Sequence, residues 1–150
     1  MGLTRLGAFL HRHRRIALDT SIFIYQVEAN SRYASLTDDV FRWLEHADHS
    51  AVTSTITLTE LLVLPYRESN EQHADEFYAI LSTYPNLEWV PPSLEIADTA
   101  AKLRAVHRLR TPDALQAATA VHSLATGFVT NDVAFEPLMH FETVLLESLL

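Results

Sequence analysis

The sequence predicts an α/β fold with a central, mainly parallel sheet of five strands flanked by helices. Three observations predict it. Hydrophobic residues make up 48% of the chain and charged residues 20%, which is the composition of a globular protein. Short apolar segments of strand length are bounded by polar residues, and longer segments carry apolar residues at helical spacing. The two kinds of segment alternate along the chain, as they do in folds built on a parallel sheet.

The first half of the chain supplies two strands and four helices. Residues 15–18 form a short apolar segment that stops at Asp19-Thr20-Ser21. These three residues are typical of a helix start, so a short helix is expected over 22–27. The elements predicted next are a helix over 32–47, a strand over 50–54, an apolar helix over 55–64 that ends at Pro65, and an amphipathic helix over 70–84.

The second half of the chain supplies three strands and three helices. The strand over 87–90 precedes Ser93, which caps a long helix to about residue 109. Pro112 suits the first position of the next helix, which is rich in Ala over 114–125 and ends at Gly127. The remaining predicted elements are a strand over 128–130, a short helix and a strand over 143–146.

Length and composition exclude several classes of function. The 150 residues fit one domain over 1–150, with an extension over 1–14 before the first strand. The formal charge is −8, so nucleic acid could bind only through a local basic patch or through metal ions. Cysteine is absent, which excludes disulfide frameworks, thiolate zinc sites and thiol catalysis. No segment resembles a membrane span or a signal peptide, so we expect a soluble cytoplasmic protein with no membrane partner.

Four carboxylates stand out by their positions. Asp19 ends the first strand, and Asp132 follows the fourth strand. Asp113 lies in the first turn of its helix, and Glu60 interrupts an otherwise apolar helix, which favours a buried face. In a parallel α/β sheet, strand carboxyl ends and helix amino ends meet at one end of the sheet, where ligands bind. We therefore expect the four carboxylates to converge on one pocket.

Each carboxylate alone has a simpler interpretation. Asp19 and Asp132 could cap helices or turns, and Asp113 could stabilise a helix amino end. Glu60 is harder to explain in this way, because an unpaired buried carboxylate is costly and needs a cation, a basic partner or a raised pKa. The conjunction of four acids favours one site over four accidents.

The chemistry that fits such a cluster is divalent-metal catalysis. Clustered carboxylates repel one another unless cations intervene, and hard oxygen donors without Cys suit Mg²⁺ or Mn²⁺. Such a site activates water and stabilises a phosphodiester in its transition state. Three glycines cannot supply a Gly-rich nucleotide-binding loop, so no nucleotide cofactor is expected.

Four motifs together resemble the PIN domain family. They are LDTSIFIY at 18–25, LTELL at 58–62, TPDALQAATA at 111–120, and TND at 130–132 with Phe135 following. Their order, spacing and predicted context agree with the family from about residue 16 onward. The small size resembles the stand-alone toxins of the VapC type within it.

The resemblance implies a three-layer fold with strand order 3-2-1-4-5 and a frequent homodimer. It also implies a Mg²⁺-dependent (or Mn²⁺-dependent) endoribonuclease toxin that a small antitoxin protein inhibits. Catalysis and metal binding would fall to the four acids named above. Asp19 and Asp113 are expected as direct ligands, and Glu60 and Asp132 are expected to act through a water. The expected supporting residues, which hold the carboxylates and contact phosphate, are Thr20, Ser21, Thr130 and Asn131.

Two positions depart from the family pattern, and one basic segment has two interpretations. Ser21 stands where the first motif usually has Asn, and residues 1–14 precede a strand with which compact toxins begin almost at once. The basic segment before the third motif could favour a helix carboxyl end or grip RNA phosphates. Its candidate RNA contacts are Lys102, Arg104, Arg108 and Arg110.

Other functions remain as alternatives. A non-catalytic PIN-like module that binds RNA or protein would not need all four acids. A phosphoryl-acceptor domain would need a Lys near its Asp, and the only Lys, Lys102, is predicted in a helix far from a strand end. A dehalogenase-type phosphatase would need a second Asp two positions after Asp19, where Ser21 stands. For the antitoxin, the expected groove is lined by Leu61, Leu62, Leu64, Tyr66, Phe77, Tyr78 and Leu81.

Overall fold

The structure is a computed structural model that describes residues 2–150. Its centre is a sheet of five parallel strands in the order β3-β2-β1-β4-β5. The strands are β1 (Arg15–Leu18), β2 (Ser50–Ser54), β3 (Leu87–Val90), β4 (Gly127–Thr130) and β5 (Glu142–Leu145). The predicted fold class and strand order are confirmed, and β1, which carries Asp19 at its carboxyl end, is the middle strand.

Helices cover both faces of the sheet. They are α1 (Gly2–His11), α2 (Thr20–Val27), α3 (Ala34–Leu44), α4 (Ile56–Arg67), α5 (Glu71–Ser82), α6 (Leu94–Val106) and α7 (Thr111–His122). Two short 3₁₀ helices follow at Val133–Phe135 and Leu146–Leu149. Within residues 2–150, no helix is long and apolar enough to cross a bilayer.

Alternation along the strands divides the core into two layers. Leu18 and Val129 point into one core with Phe23 and Phe41, beneath α1, α2 and α3. The neighbouring strand residues point into the second core, beneath α6 and α7, where Phe128 packs on Phe135 and Phe141. Because both faces are covered, the central strands are buried along their length, as parallel sheets require.

The predicted carboxyl ends of α3, α4, α6 and α7 each differ from the structure by three residues, and the reasons are clear for α4 and α7. Helix α4 continues through Pro65 to Arg67, because the ring stands in the last turn and only one backbone N–H is lost there. Helix α7 stops at His122, before the predicted stop at Gly127, and Leu124 adopts the left-handed conformation that often follows a helix. Gly127 instead begins β4, where an added Cβ would lie 2.9 Å from the Phe9 ring. The glycine is needed for this close approach rather than for a helix stop.

The segment before β1 folds as a helix that the sequence did not predict. Leu6, Phe9 and Leu10 of α1 are buried against the first core. His13 follows the helix and is buried between Thr126 and Glu142, with ring nitrogens 2.7 Å from each side-chain oxygen. The extension therefore closes the amino end of the sheet, opposite the carboxyl ends of the strands.

Candidate functional site

A pocket of about 420 Å³ lies at the carboxyl end of the sheet, and all four predicted carboxylates line it. Asp19 follows β1 and caps α2, and Asp132 lies two residues after β4. Asp113 lies in the first turn of α7, and Glu60 extends from α4. The elements that carry them begin or end at this point because the helices run antiparallel to the strands. The predicted convergence of the four side chains is confirmed as geometry.

Asp19 is the most enclosed of the four. Its side chain accepts hydrogen bonds from the backbone N–H of Thr20 and from the hydroxyl of Thr130, both at 2.8 Å. Burial raises the pKa of Asp19 to about 6, and the negative charges of Asp113 and Glu60 add to the rise. The two hydrogen bonds oppose this effect by stabilising the carboxylate. Asp19 is therefore held in place, but it forms no ion pair within residues 2–150.

Glu60 is exposed, so the burial expected from its apolar neighbours is wrong. Helix α4 turns Leu61 into the core, which leaves the preceding residue at the rim of the pocket. The Thr20 hydroxyl donates to Glu60 Oε1 at 2.7 Å. Glu60 is thus fixed by a side chain adjacent to Asp19, although water reaches it freely.

Asp113 and Asp132 have different partners. Asp113 is buried and its Oδ2 lies 3.2 Å from Arg110 Nε, the one ion pair in the pocket within residues 2–150. Burial raises the pKa of Asp113, while the charge and hydrogen bond of Arg110 lower it. Asp132 accepts a hydrogen bond from the N–H of Ala134 at 2.9 Å and so caps the 3₁₀ helix. The capping interpretations of Asp19 and Asp132 therefore hold alongside their place in the pocket.

The four predicted supporting residues behave differently from one another. Thr20 and Thr130 contact carboxylates, as described, and Thr130 also accepts a hydrogen bond from the N–H of Asp132. Ser21 lines the pocket, but its hydroxyl is buried and has no hydrogen-bond partner within residues 2–150. Asn131 also lines the pocket, yet its side chain is held by the Tyr25 hydroxyl and the backbone N–H of Glu147.

A buried layer of polar side chains lies beneath the acids, and sequence reasoning missed most of it. We call this layer the polar floor; its members are Thr20, Thr53, Thr57 and Gln116. Each member is almost fully buried. The signal was visible, because Gln116 interrupts an Ala-rich helix as Glu60 interrupts an apolar one. Its meaning was not visible, since the partners come from three distant parts of the chain.

The basic candidates are scattered. Arg110 lines the pocket, while Lys102 pairs with Asp98 at 3.1 Å on the exposed side of α6. Arg104 holds the α6–α7 connection through the carbonyl of Leu109 and the hydroxyl of Thr111. Arg108 is exposed but does not line the pocket.

No three His, Asp or Glu side chains of residues 2–150 are already arranged to hold a metal ion. The carboxylates are instead turned toward protein donors: Thr20 and Thr130, Arg110, and the N–H of Ala134. The donor set still fits a hard divalent cation, because four carboxylates share one open pocket with one arginine. Burial, and to a smaller degree the charges of Asp113 and Glu60, raises the pKa of Asp19, and such an ion would stabilise the charged carboxylate.

Solved structures with the same fold come from bacterial toxin–antitoxin systems. VapBC2 from Rickettsia felis, bound to a promoter DNA fragment, is 18% identical with a TM-score of 0.66, covering 87% of this chain and 98% of that one. VapBC-5 from Mycobacterium tuberculosis is 25% identical with a TM-score of 0.56, covering 88% and 98%. The sarcin–ricin loop cleaving toxin VapC20 of M. tuberculosis is 20% identical with a TM-score of 0.59, covering 75% and 86%.

Comparison by sequence finds a matching protein family but no matching curated protein. No curated protein matches the chain significantly by sequence. The family pattern of the PIN domain matches residues 16–138, a span that begins in β1 and ends just after the 3₁₀ helix. That span contains all four carboxylates, the polar floor, the strands β2 to β4 and all of β1 except Arg15. The chain belongs to the PIN domain family.

Proposed function

We propose that the protein is a divalent-metal-dependent endoribonuclease that acts in the cytoplasm as the toxin of a toxin–antitoxin pair. One observation carries the proposal: four carboxylates from four separate elements line a single open pocket at the carboxyl end of the sheet. Structural scaffolding does not need this concentration of negative charge: two of these acids are buried, and within residues 2–150 Asp113 has one positive partner and Asp19 has none. Membership of the PIN family supports the same assignment.

The chain's own residues have distinct tasks in this proposal. Asp19 and Asp113 would hold Mg²⁺ or Mn²⁺ directly, because both are buried at the base of the pocket. The ion would supply charge stabilisation for the phosphodiester and a more acidic water. Glu60 and Asp132, which are more accessible, would orient the attacking water and accept its proton. Thr20 and Thr130 keep Glu60 and Asp19 in place.

Arg110 is the basic residue that we assign to the RNA phosphate. Its side chain is 79% exposed, so it can turn from Asp113 toward a bound backbone, and a divalent cation held by Asp113 would then offset the buried carboxylate charge. Lys102 and Arg104 lie in α6 and Arg108 lies in the connection to α7, and these residues would contact flanking phosphates. Base specificity would then depend on the surface around the pocket.

The test is cleavage of a defined RNA in Mg²⁺, in Mn²⁺ and in EDTA. We expect cleavage in both metals, loss in EDTA, and loss in Asp113→Asn. A matched control is Asp98→Asn, which removes an exposed carboxylate 68% accessible on α6. If RNA is bound but never cut, the chain is instead a PIN-like binding module. Cleavage that persists in EDTA would disprove the metal dependence.

The antitoxin is the second part of the proposal. A groove of about 320 Å³ between α2, α4 and α5 leads to Glu60 and is lined by Ile24, Val27, Leu64 and Phe77. Beside it, Tyr78 is 54% exposed. Leu61 lines this groove but is 5% exposed, and Leu81 is buried in the core. Leu62 and Tyr66, which were also expected here, line a different groove along α4. An amphipathic antitoxin helix would fill the groove between α2, α4 and α5 and direct an Arg or Lys into the pocket.

Co-expression with a small open reading frame that adjoins the gene, where genome sequence reveals one, tests this pairing. We expect a stable complex, lower ribonuclease activity, and loss of the complex in Leu64→Asp. Leu94→Asp is the control, because Leu94 is 86% exposed at the start of α6, away from the groove. A complex that survives Leu64→Asp unchanged would place the antitoxin elsewhere.

The homodimer is the third part. A separate apolar groove of about 720 Å³ runs along the outer side of α4 and is lined by Leu58, Leu62, Val63 and Tyr66. A helix that is apolar on both sides needs a second surface to cover it. We expect light scattering to give about twice the chain mass of 16.9 kDa, and Val63→Asp to give the monomer. A monomer at all concentrations would contradict the assignment.

A further inference from the structure

Gln116 is a buried amide at the base of the pocket that the proposed chemistry does not use. It lies on α7, three residues after Asp113, and its exposed fraction is 3%. The other inward positions of α7 are mostly alanines, which pack closely on the sheet. A polar side chain at such a position is costly unless its donors and acceptors are satisfied. The cost indicates that its hydrogen bonds serve a purpose.

The contacts of Gln116 define which end of its amide is oxygen. The backbone N–H of Ser54, at the end of β2, donates to Gln116 Oε1 at 3.3 Å. A backbone N–H can only donate, so the oxygen must face Ser54. The Nε2 atom therefore faces two hydroxyls, Thr57 Oγ1 at 2.6 Å and Thr20 Oγ1 at 3.4 Å. One amide thus connects β2, α4 and α2.

The proton directions in the polar floor follow from its acceptors. Thr20 donates its hydroxyl proton to the carboxylate of Glu60, so it can only accept from Gln116. Thr53 donates to the carbonyl of Leu18, which leaves Thr57 to donate to Thr53 and likewise to accept from Gln116. The two hydrogens of a single amide therefore occupy the acceptor sides of Thr57 and Thr20, which is consistent with the Thr20 proton pointing at Glu60.

The sequence spacing shows why this arrangement reaches the acids. Thr20 directly follows Asp19, and Gln116 lies one helical turn after Asp113. Thr57 lies one turn before Glu60 in α4. Asp19 is thus adjacent in sequence to a member of the polar floor, and Asp113 and Glu60 each lie one helical turn from a member.

We propose that Gln116 is a positioning residue of the carboxylate pocket, which acts through Thr20 on Glu60 and joins the elements that carry three of the four acids. This inference rests on the proposed function, because positioning has a purpose only if the acids act together. Gln116 touches neither substrate nor acid in this arrangement. Its effect is transmitted by the hydroxyl of Thr20.

Thr119 offers a matched control on the same helix. It is also buried, with 1% exposure, and its hydroxyl donates to the carbonyl of Leu115 within α7 at 2.7 Å. Thr119→Val therefore removes one buried hydrogen bond without touching the polar floor. Gln116→Met removes the amide and keeps an unbranched side chain of similar length. The pair separates positioning from general loss of α7 packing.

The experiment measures kcat, KM, Mn²⁺ affinity by calorimetry and Tm for Gln116→Met, Thr119→Val and Thr20→Val. We expect Gln116→Met to lower kcat about 10–100-fold and weaken Mn²⁺ binding to a similar degree, with little change in KM. Thr119→Val should change Tm but neither kcat nor Mn²⁺ affinity. The double variant Gln116→Met with Thr20→Val should be no worse than Thr20→Val alone, and Thr20→Ser should retain most of the activity.

Three results would overturn the inference. The first is a Gln116→Met enzyme as active as Thr119→Val, and the second is a multiplicative effect in the double variant. If Gln116→Met fails to fold, the comparison of Thr20→Val with Thr20→Ser still tests the inference. Equal kcat values for these two variants are the third result that would overturn it. If the wild type cuts no RNA, the proposed function fails, and Mn²⁺ affinity alone tests the role of Gln116. Equal Mn²⁺ affinity of the wild type and Gln116→Met, or no Mn²⁺ binding at all, would then reject the inference.

Discussion

Charged side chains form ion pairs at the amino end of the sheet, whereas acidic side chains cluster at its carboxyl end. At the amino end, Glu142 meets both Arg12 and His13 at 2.7 Å, and Arg15 pairs with Glu88. At the carboxyl end, four carboxylates share a pocket with Arg110 as their one basic neighbour among its lining residues. The paired charges hold α1, β1, β3 and β5 together, whereas the clustered acids repel one another. Ion pairs that join elements lie at the amino end and at Arg32–Glu147 just after β5, whereas three of the four pocket carboxylates form no ion pair within residues 2–150.

The largest effect that would test this contrast is expected from Asp19→Asn. The substitution keeps the shape of the side chain and removes one negative charge from the middle of the pocket. We expect RNA cleavage to fall by at least about 10²–10³-fold, as when one group that stabilises transition-state charge is lost. Activity is measured in Mg²⁺ beside Asp98→Asn, which should stay within twofold of wild type. If Asp19→Asn cleaves RNA as fast as the wild type, Asp19 only caps α2 and has no part in catalysis.

The same substitution should stabilise the metal-free protein at neutral pH. The pKa of Asp19 is raised from 3.8 to about 6 on folding, so between these values the folded state keeps a proton that the unfolded state has lost. Wild-type stability therefore falls as pH rises through this window, by up to about 3 kcal/mol. Urea unfolding in EDTA should show Asp19→Asn as the more stable protein at pH 7.5, with little difference near pH 4. Equal differences at both pH values would contradict the burial argument.

At the amino end, Gly127→Ala should affect stability without affecting catalysis. The added methyl would lie 2.9 Å from the Phe9 ring and 3.0 Å from the His13 ring, so both side chains must shift. We expect unfolding free energy to fall by about 1–3 kcal/mol, as in other overpacked cores. Gly7→Ala in α1 meets nothing within 4 Å and should raise stability instead. RNA cleavage should remain at the wild-type level in both variants.

The smallest effect is expected from Glu142→Gln. The variant loses the charge that faces Arg12 and His13, but the Glu142 side chain is 44% exposed and water screens the interaction. Tm should fall by about 2–4 °C, with unchanged cleavage. A loss of activity without a change in Tm would show that the two ends of the sheet are coupled.

The fold was predictable where strands and helices are marked by local sequence. The bounds of β1, β2 and β3 are those predicted, because polar or Pro residues stand beside each short apolar segment. Helix α1 was missed because its segment is short and carries two glycines. Its stability comes from burying Leu6, Phe9 and Leu10 in the core, which local propensity cannot show.

The sequence was sufficient to predict which acids line the pocket, but not which side chains hold those acids in place. The parallel sheet brings Asp19 and Asp132 together whatever the details of packing. The exposure of Glu60 depends on how α4 is rotated, and its neighbours in sequence are apolar on both sides. Gln116 and Thr57 lie 59 residues apart, so their hydrogen bond could be seen only in three dimensions.

The bond between Asp19 and Thr130 has a consequence for timing during synthesis. The two residues are separated by 111 positions, and β1 completes its pairing only when β4 arrives beside it. At about 5–20 residues per second, a ribosome needs about 6–22 s to add the intervening chain. Until then a nascent chain holds Asp19 without the strand that orients it. The ribosome that makes this protein therefore carries no assembled pocket until most of the chain has been translated.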